Sequence, residues 1–270
     1  MRLMIGVWGV LLAALAAPAH SAQAWREPTT GMEFVAIAKG CFQMGLPDKA
    51  FLDQGGDVFM KRLRTEMPQH EVCLDAYWLG RYEVQESEWQ KVMGSRPQSG
   101  PPNAPVTGVT WDEAQAFARR LTELAGGSAL FRLPTEAQWE HACRAGAPVP
   151  SVTLPNNDEL IDKAWFAGPI APNTNERLKT VQPVGRKAAN AFGLHDMLGN
   201  VWEWVLDDYH PDAYAQHSLF NPVVADAQRK RVIRGGGRRT GRHLIRCETR
   251  GWMPTQDTQD TVGLRLVRIR

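Results

Sequence analysis

The stretch RKRVIRGGGRRTGRHLIRCETR, residues 229–250, gathers nine arginine and lysine side chains around three adjacent glycines and one cysteine. Such a run can track phosphates, line a pocket for an anion, or neutralise buried acids. The rest of the chain argues against the first. Over 270 residues the formal net charge is +2, with 22% charged and 43% hydrophobic residues. A dedicated nucleic-acid binder runs strongly basic. Acids elsewhere must balance this run, so no nucleic-acid partner is expected.

Other reactive patterns are sparse. No G-x-S-x-G elbow offers a serine nucleophile. The seven histidines show no metal-ligand spacing, and no C-x-x-C suggests a zinc finger. Asp196 and Glu203 are two carboxylates with Gly199 between them to let the backbone turn. Four cysteines remain: Cys41, Cys73, Cys143 and Cys247. An even count in an oxidising compartment suggests two disulfides, for which the sequence alone allows three pairings.

Export is expected from the N-terminus. Arg2 supplies a positive start, Ile5 to Ala17 is apolar, and Ala22-Gln23-Ala24 forms an A-x-A cleavage site. Residues 1–24 therefore read as a secretory signal and residues 25–270 as the mature domain, periplasmic or secreted. The apolar run falls short of the about 20 residues needed to span a bilayer, and Pro18 and His20 interrupt it. No later segment is apolar enough to cross a membrane.

The elements that must position these residues are few. Phe34, Val35 and Ile37, a Lys39-Gly40 turn and Cys41 to Met44 read as a short strand pair. Residues 46–70 read as a long polar loop, and His70 to Tyr82 as β-rich. A short helix over Glu86 to Met93 places Trp89 and Met93 on one face. The capping box Thr110-Trp111-Asp112-Glu113 opens the clearest helix, and Gly126-Gly127 closes it. A second box, Thr135-Glu136-Ala137-Gln138, starts a helix with Trp139, Ala142 and Cys143 inward, ending at Gly146. Residues 147–270 show little helical periodicity and are rich in Gly, Pro, Asn and Asp. The whole predicts one α+β domain in which loops pack on one another. Ten tryptophans, nine of them in the mature chain, supply buried surface and N–H anchors for those loops.

Four blocks then align in order. They are Gly80-Arg81-Tyr82-Glu83-Val84 with Trp89 and Met93-Gly94; Phe131 to Glu140 with Cys143-Arg144-Ala145-Gly146; Asn190 to Trp204; and Arg234-Gly235-Gly236, Arg246-Cys247 and Arg250, with Val262 to Leu266. Together they resemble the sulfatase-modifying factor family, best known for formylglycine-generating enzymes. R-L-P-T-E-x-x-W-E and G-N-x-W-E-W are specific signals, and the likeness covers nearly the whole mature chain. It implies a single loop-rich α+β domain with a variant C-type-lectin-like fold. It implies a Cys143–Cys247 disulfide, leaving Cys41 to pair with Cys73. It also implies a structural calcium held by the side chains of Asp196 and Glu203 and the carbonyls of Gly199 and Val201. Asp196 stands where the family's enzymes have Asn. Their other calcium site would fall near Trp165, which replaces an asparagine ligand, so no ion is expected there.

In those enzymes two cysteines downstream of R-G-G-S bind copper(I), for which thiolates are the right donors. Counted forward, the serine becomes Gly237, the first cysteine Thr240, and no cysteine lies between there and Ile245. No copper is therefore expected. The resemblance makes residues 229–250 the floor of the family's substrate groove. Arg234, Arg246 and Arg250 take structural positions, while Arg238, Arg239, Thr240, Arg242 and His243 become the groove candidates. An exposed arginine cluster there would take a carboxylate or phosphate bidentately, or would be a solvated loop. Ergothioneine-type sulfoxide synthases share the fold but add a helical, iron-binding histidine set that this chain lacks. The expected function is an exported, copper-free member that binds a peptide or protein partner in the groove. The alternative is an oxidative maturation enzyme acting on a secreted peptide or protein, with a true formylglycine-generating oxidase ranked last.

Overall fold

The computed structural model describes residues 23–47, 57–94, 103–147, 160–170, 176, 178–226 and 229–269. The expected signal segment lies outside them except for Gln23 and Ala24. Ala24 belongs to a first strand, β1 (Ala24–Arg26), so cleavage before Trp25 would trim that strand. Among the described residues no helix is long and apolar enough to cross a membrane.

Among the described residues the domain mixes four α-helices with three sheets, as expected for α+β. In chain order β1 is followed by β2 (Glu33–Ile37), β3 (Gly40–Met44), α1 (Asp57–Arg64), β4 (His70–Leu74), β5 (Tyr77–Gly80), α2 (Glu86–Met93), α3 (Trp111–Leu124), β6 (Phe131–Arg132) and α4 (Glu136–Arg144). Then come β7 (Trp202–Asp208), β8 (Lys230–Arg234), β9 (Arg250–Pro254), β10 (Val262–Leu264) and β11 (Val267–Arg268). The largest sheet has the order β1-β2-β5-β11-β6 and is antiparallel throughout. The second, β10-β7-β8-β9, pairs β10 with β7 in parallel and the rest antiparallel.

β2 and β7 are buried on both faces. Phe34 packs into one apolar cluster with Phe117, Leu121, Trp204 and Leu264, while its neighbour Val35 packs into a second with Leu79, Trp139 and Val205. Successive strand residues point to opposite faces, so each strand separates the two clusters. This accounts for continuous apolar runs in place of an alternating pattern.

Both capping boxes form. Thr110 Oγ1 accepts from the Glu113 N–H while Glu113 accepts from the Thr110 N–H. Thr135 and Gln138 repeat the exchange at α4. α4 is buried around its whole circumference, including Glu136, Glu140 and Arg144, so it runs through the middle of the domain.

Three expectations change. β2 and β3 are strands but do not pair with each other: β1 and β5 occupy both edges of β2, so β3 pairs with β4. The polar stretch after Met44 contains α1, a short helix whose last turn is basic. On α2 the inward partner of Trp89 is Val92, while Met93 is 40% exposed; Trp89 stacks on Phe117 with ring centroids 5.0 Å apart.

Both disulfides are as expected. Cys41 joins Cys73 across the β3–β4 pair, and Cys143 at the end of α4 joins Cys247.

Candidate functional site

The arginine run has buried partners. A chain of alternating charges passes through the interior: Glu66, Arg246, Glu248, Arg144, Glu140, Arg234, Glu136, Arg250. Four acids meet four bases, and the side chains of Glu136, Glu140, Arg234 and Arg250 are fully inaccessible. Burial by itself would raise the Glu140 carboxyl; Arg144, Arg234 and the Gly45 N–H hold it down at about 2. At the end of the chain burial prevails, and Glu66 is pushed up to about 7 against the pull of Arg246. Arg234, Arg246 and Arg250 are thus structural, as the resemblance implied.

Above this chain lies a groove floored by Trp202. Its indole rests on glycine backbone: a Cβ on Gly251 would stand 3.1 Å from Trp202 Cζ3, and one on Gly237 3.2 Å from Cδ1. Arg62 of α1 stands over the ring, its guanidinium carbon 6.0 Å from the centroid. Trp252, on the edge strand β9, is 45% exposed, with Lys230 Nζ 4.5 Å above its ring and the Tyr209 ring 5.9 Å away. Arg62, Trp202, Tyr209 and Trp252, with Lys61, Thr65 and Gly251, line a volume of about 410 Å³. Flat aromatic walls beside cations suit planar or apolar groups carrying negative charge.

The five groove candidates separate into two sets. Arg238 and Arg239 share Asp260, at 2.8 Å each. Arg238 is buried, which corrects the picture of an exposed cluster at this point. Thr240 is buried too; its Oγ1 accepts from the Gly237 N–H and its carbonyl from the Ala167 N–H, so it closes a turn. Arg242 and His243 are exposed on a single 3-10 turn. The His243 pKa is lowered by partial burial and then by the charges of Arg62, Arg246 and Arg242. None of the five candidates is among the residues that line the Trp202 groove. Arg62, Tyr209 and Trp252 were absent from the sequence-based set. Arg62 lies in a stretch read as loop. Trp252 carried a usable signal, a tryptophan two residues after a structural arginine.

The loop expected to hold calcium is also built around a guanidinium. Arg265 donates to both oxygens of Glu203 and to the carbonyls of Gly80 and His195. Trp139 Nε1 donates to Glu203 Oε2 at 2.7 Å. Glu203 therefore already has partners. Asp196 takes the Gly185 N–H on Oδ2, while its Oδ1 is buried with no hydrogen-bond partner. Gly199 is at φ +84°, and a Cβ there would lie 2.2 Å from the Trp165 carbonyl. Only glycine fits. Among the described residues no three acidic, histidine or cysteine side chains converge as a metal cage. What favours a hard cation is the orphaned Asp196 Oδ1. Burial raises the carboxyls of Glu83 and Asp196, and Arg265 opposes the rise at both.

A wider cleft, of about 820 Å³, opens beside the Cys143–Cys247 bridge. Alanine, leucine and methionine make up much of its wall, so it lacks the combination of rings and cations found at Trp202.

The family of the sulfatase-modifying factor enzyme 1-like domain matches residues 20–270. The formylglycine-generating enzyme of Streptomyces coelicolor is 35% identical over 169 residues, covering 59% of this chain and 49% of that protein. The chain thus spans about half the length of that relative. The chaperone protein LppX of Paenibacillus barcinonensis is 27% identical, covering 66% of this chain and 79% of that one. Among solved structures, PvdO from Pseudomonas aeruginosa superposes with a TM-score of 0.76 at 24% identity, covering 92% of this chain and 98% of its own. The Treponema denticola variable protein 1 follows at 0.73 and 23%, with 92% and 98% covered. These likenesses show the fold, a C-type-lectin-like α+β domain.

Proposed function

We propose, starting from the fact that the chain belongs to the sulfatase-modifying factor family, that it is an exported member binding a peptide or protein partner in the Trp202–Trp252 groove. It works without copper–thiolate chemistry. The observation that carries this reading is the cysteine inventory set against the groove. All four cysteines are engaged in two disulfides, and the groove is walled by rings and cations. Thr240, where a thiolate would be needed, is buried in a turn. Its hydroxyl is a poor donor for a soft cuprous ion. The relative described as a chaperone protein supports the binding of protein.

A photo-crosslinking amino acid at Trp252, compared with one at the exposed Met93, tests the reading in an extract of the native host. A defined adduct at 252 alone supports it. Equal labelling at both positions contradicts it.

The second reading, oxidative maturation of a secreted peptide, is favoured by the names of relatives. They include formylglycine-generating enzymes and a hercynine oxygenase from Mycolicibacterium thermoresistibile. A true formylglycine-generating oxidase ranks last because it requires the missing thiolates.

Calcium is proposed as a structural ion on the Asp196–Glu203 loop. Asp196 Oδ1 would supply the free oxygen, the carbonyls of Gly199 and Val201 would add to it, and Glu203 would exchange part of its hold on Arg265. The ion would neutralise buried carboxylates and fix the loop that carries Trp202.

A further inference from the structure

Arg62 has little to do for its own fold. Among the described residues its hydrogen bond is Nη2 to the Arg250 carbonyl, at 3.2 Å. Its Nε is buried and finds no hydrogen-bond partner among the described residues. The acid it feels most, Glu66, gives both oxygens to Arg246 Nη2. A half-buried guanidinium with donors unspent favours an anion, and a carboxylate fits its fork bidentately. The neighbours reinforce that preference. Lys61 shares the groove wall, and Lys230 stands over Trp252. Among the described residues no acidic side chain lines this groove. Trp202 and Trp252 meanwhile offer flat apolar faces within the same 410 Å³.

We infer that Arg62 with Trp202 and Trp252 forms a carboxylate-reading subsite, and that the groove takes an extended acidic peptide segment with an aromatic or apolar side chain beside the acid. Arg62 anchors the carboxylate, the indoles take the neighbouring side chain, and Lys61 sets the charge preference of the approach. This rests on the groove being the binding site and adds what it selects.

The test uses the full chain and fluorescein-labelled hexapeptides read by anisotropy. Three have blocked ends and alternate tyrosine with glutamate, glutamine or lysine. A fourth is the glutamine peptide with a free C-terminal carboxylate. The expected result is that the glutamate peptide binds at least about tenfold tighter than the glutamine peptide, the size of one charge-assisted contact. Raised salt should weaken it. Arg62→Gln should erase the difference, Arg62→Lys should retain part of it, and Trp252→Ala should weaken both. Tight binding of the fourth peptide alone would assign the subsite to a chain terminus instead of a side chain. Equal binding of the glutamate, glutamine and lysine peptides, still lost in Trp252→Ala, would overturn the carboxylate preference and leave the groove standing. No binding by any of them would overturn both.

Discussion

Arg234 Nη2 lies 2.6 Å from Glu140 Oε2 with both side chains wholly inaccessible to water. This pair is the centre of the buried charge chain and ties β8 to α4. Arg234 also reaches Glu136 Oε1 at 2.8 Å and the Cys247 carbonyl. Glu140 takes Arg144 and the Gly45 N–H as well. Buried pairs of this kind add little over an apolar core, but removing one partner leaves the other uncompensated.

Glu140→Gln is therefore expected to cost about 3–5 kcal/mol at neutral pH, measured by denaturant unfolding. The sign with pH follows from the depressed carboxyl. Glu140 falls from its ordinary 4.5 to about 2 in the fold. Its contribution is complete above pH 4.5 and is lost as pH falls from 4.5 to 2. The gap between wild type and Glu140→Gln should close across that window. A gap that stays constant down to pH 2 would contradict the assignment.

The two disulfides close loops of different span, with sequence separations of 32 for Cys41–Cys73 and 104 for Cys143–Cys247. Loop entropy alone gives about 3.7 and 4.7 kcal/mol respectively. Loss of the second should be the more harmful, because Arg144, Arg246 and Glu248 flank it and belong to the charge chain. Melting of Cys143→Ser/Cys247→Ser beside Cys41→Ser/Cys73→Ser checks the order.

Gly251→Ala should disturb the groove more than the core. The new methyl carbon would stand 2.9 Å from Ile233 Cγ1 and 3.1 Å from Trp202 Cζ3. Crowding of this kind costs about 1–3 kcal/mol. The expected outcome is a changed tryptophan emission and weakened ligand binding, with the far-UV spectrum retained.

If calcium occupies the Asp196 loop, excess ion should raise the melting temperature and a chelator should reverse the gain. A ligand at about a hundred times its dissociation constant adds about 2.7 kcal/mol. Asp196→Asn keeps an oxygen and should weaken the effect; Asp196→Ala should abolish it. A melting temperature indifferent to calcium would remove the ion from the account.

Much of this arrangement was legible in the sequence where the determinants are local. Thr110 with Glu113, and Thr135 with Gln138, announce their helices because both halves of each cap lie within one turn. The arginine run was legible as a charge needing acids, but the acids themselves were not. Glu66, Glu136 and Glu140 lie far away in sequence, and no local rule pairs them with Arg246, Arg250 and Arg234. The resemblance identified the structural arginines and both disulfides. It left Arg238 and Thr240 as groove candidates, since only packing shows Arg238 paired with Asp260 and Thr240 tied down by Gly237. The β2–β3 pairing failed for a similar reason: a short turn permits a hairpin, but β1 and β5 already occupy both edges of β2. Arg62 was hidden because α1 is a short helix of eight residues set in a polar stretch that reads as loop.

The account depends most on there being no pair of free sulfur donors beside the Trp202 groove. Titration of thiols in the denatured, unreduced protein, with cuprous ion retention measured on the native protein in parallel, tests this directly. The account predicts no reactive thiol and no copper retained after desalting. A pair of free thiols, with one copper held per chain and lost on their alkylation, would contradict it.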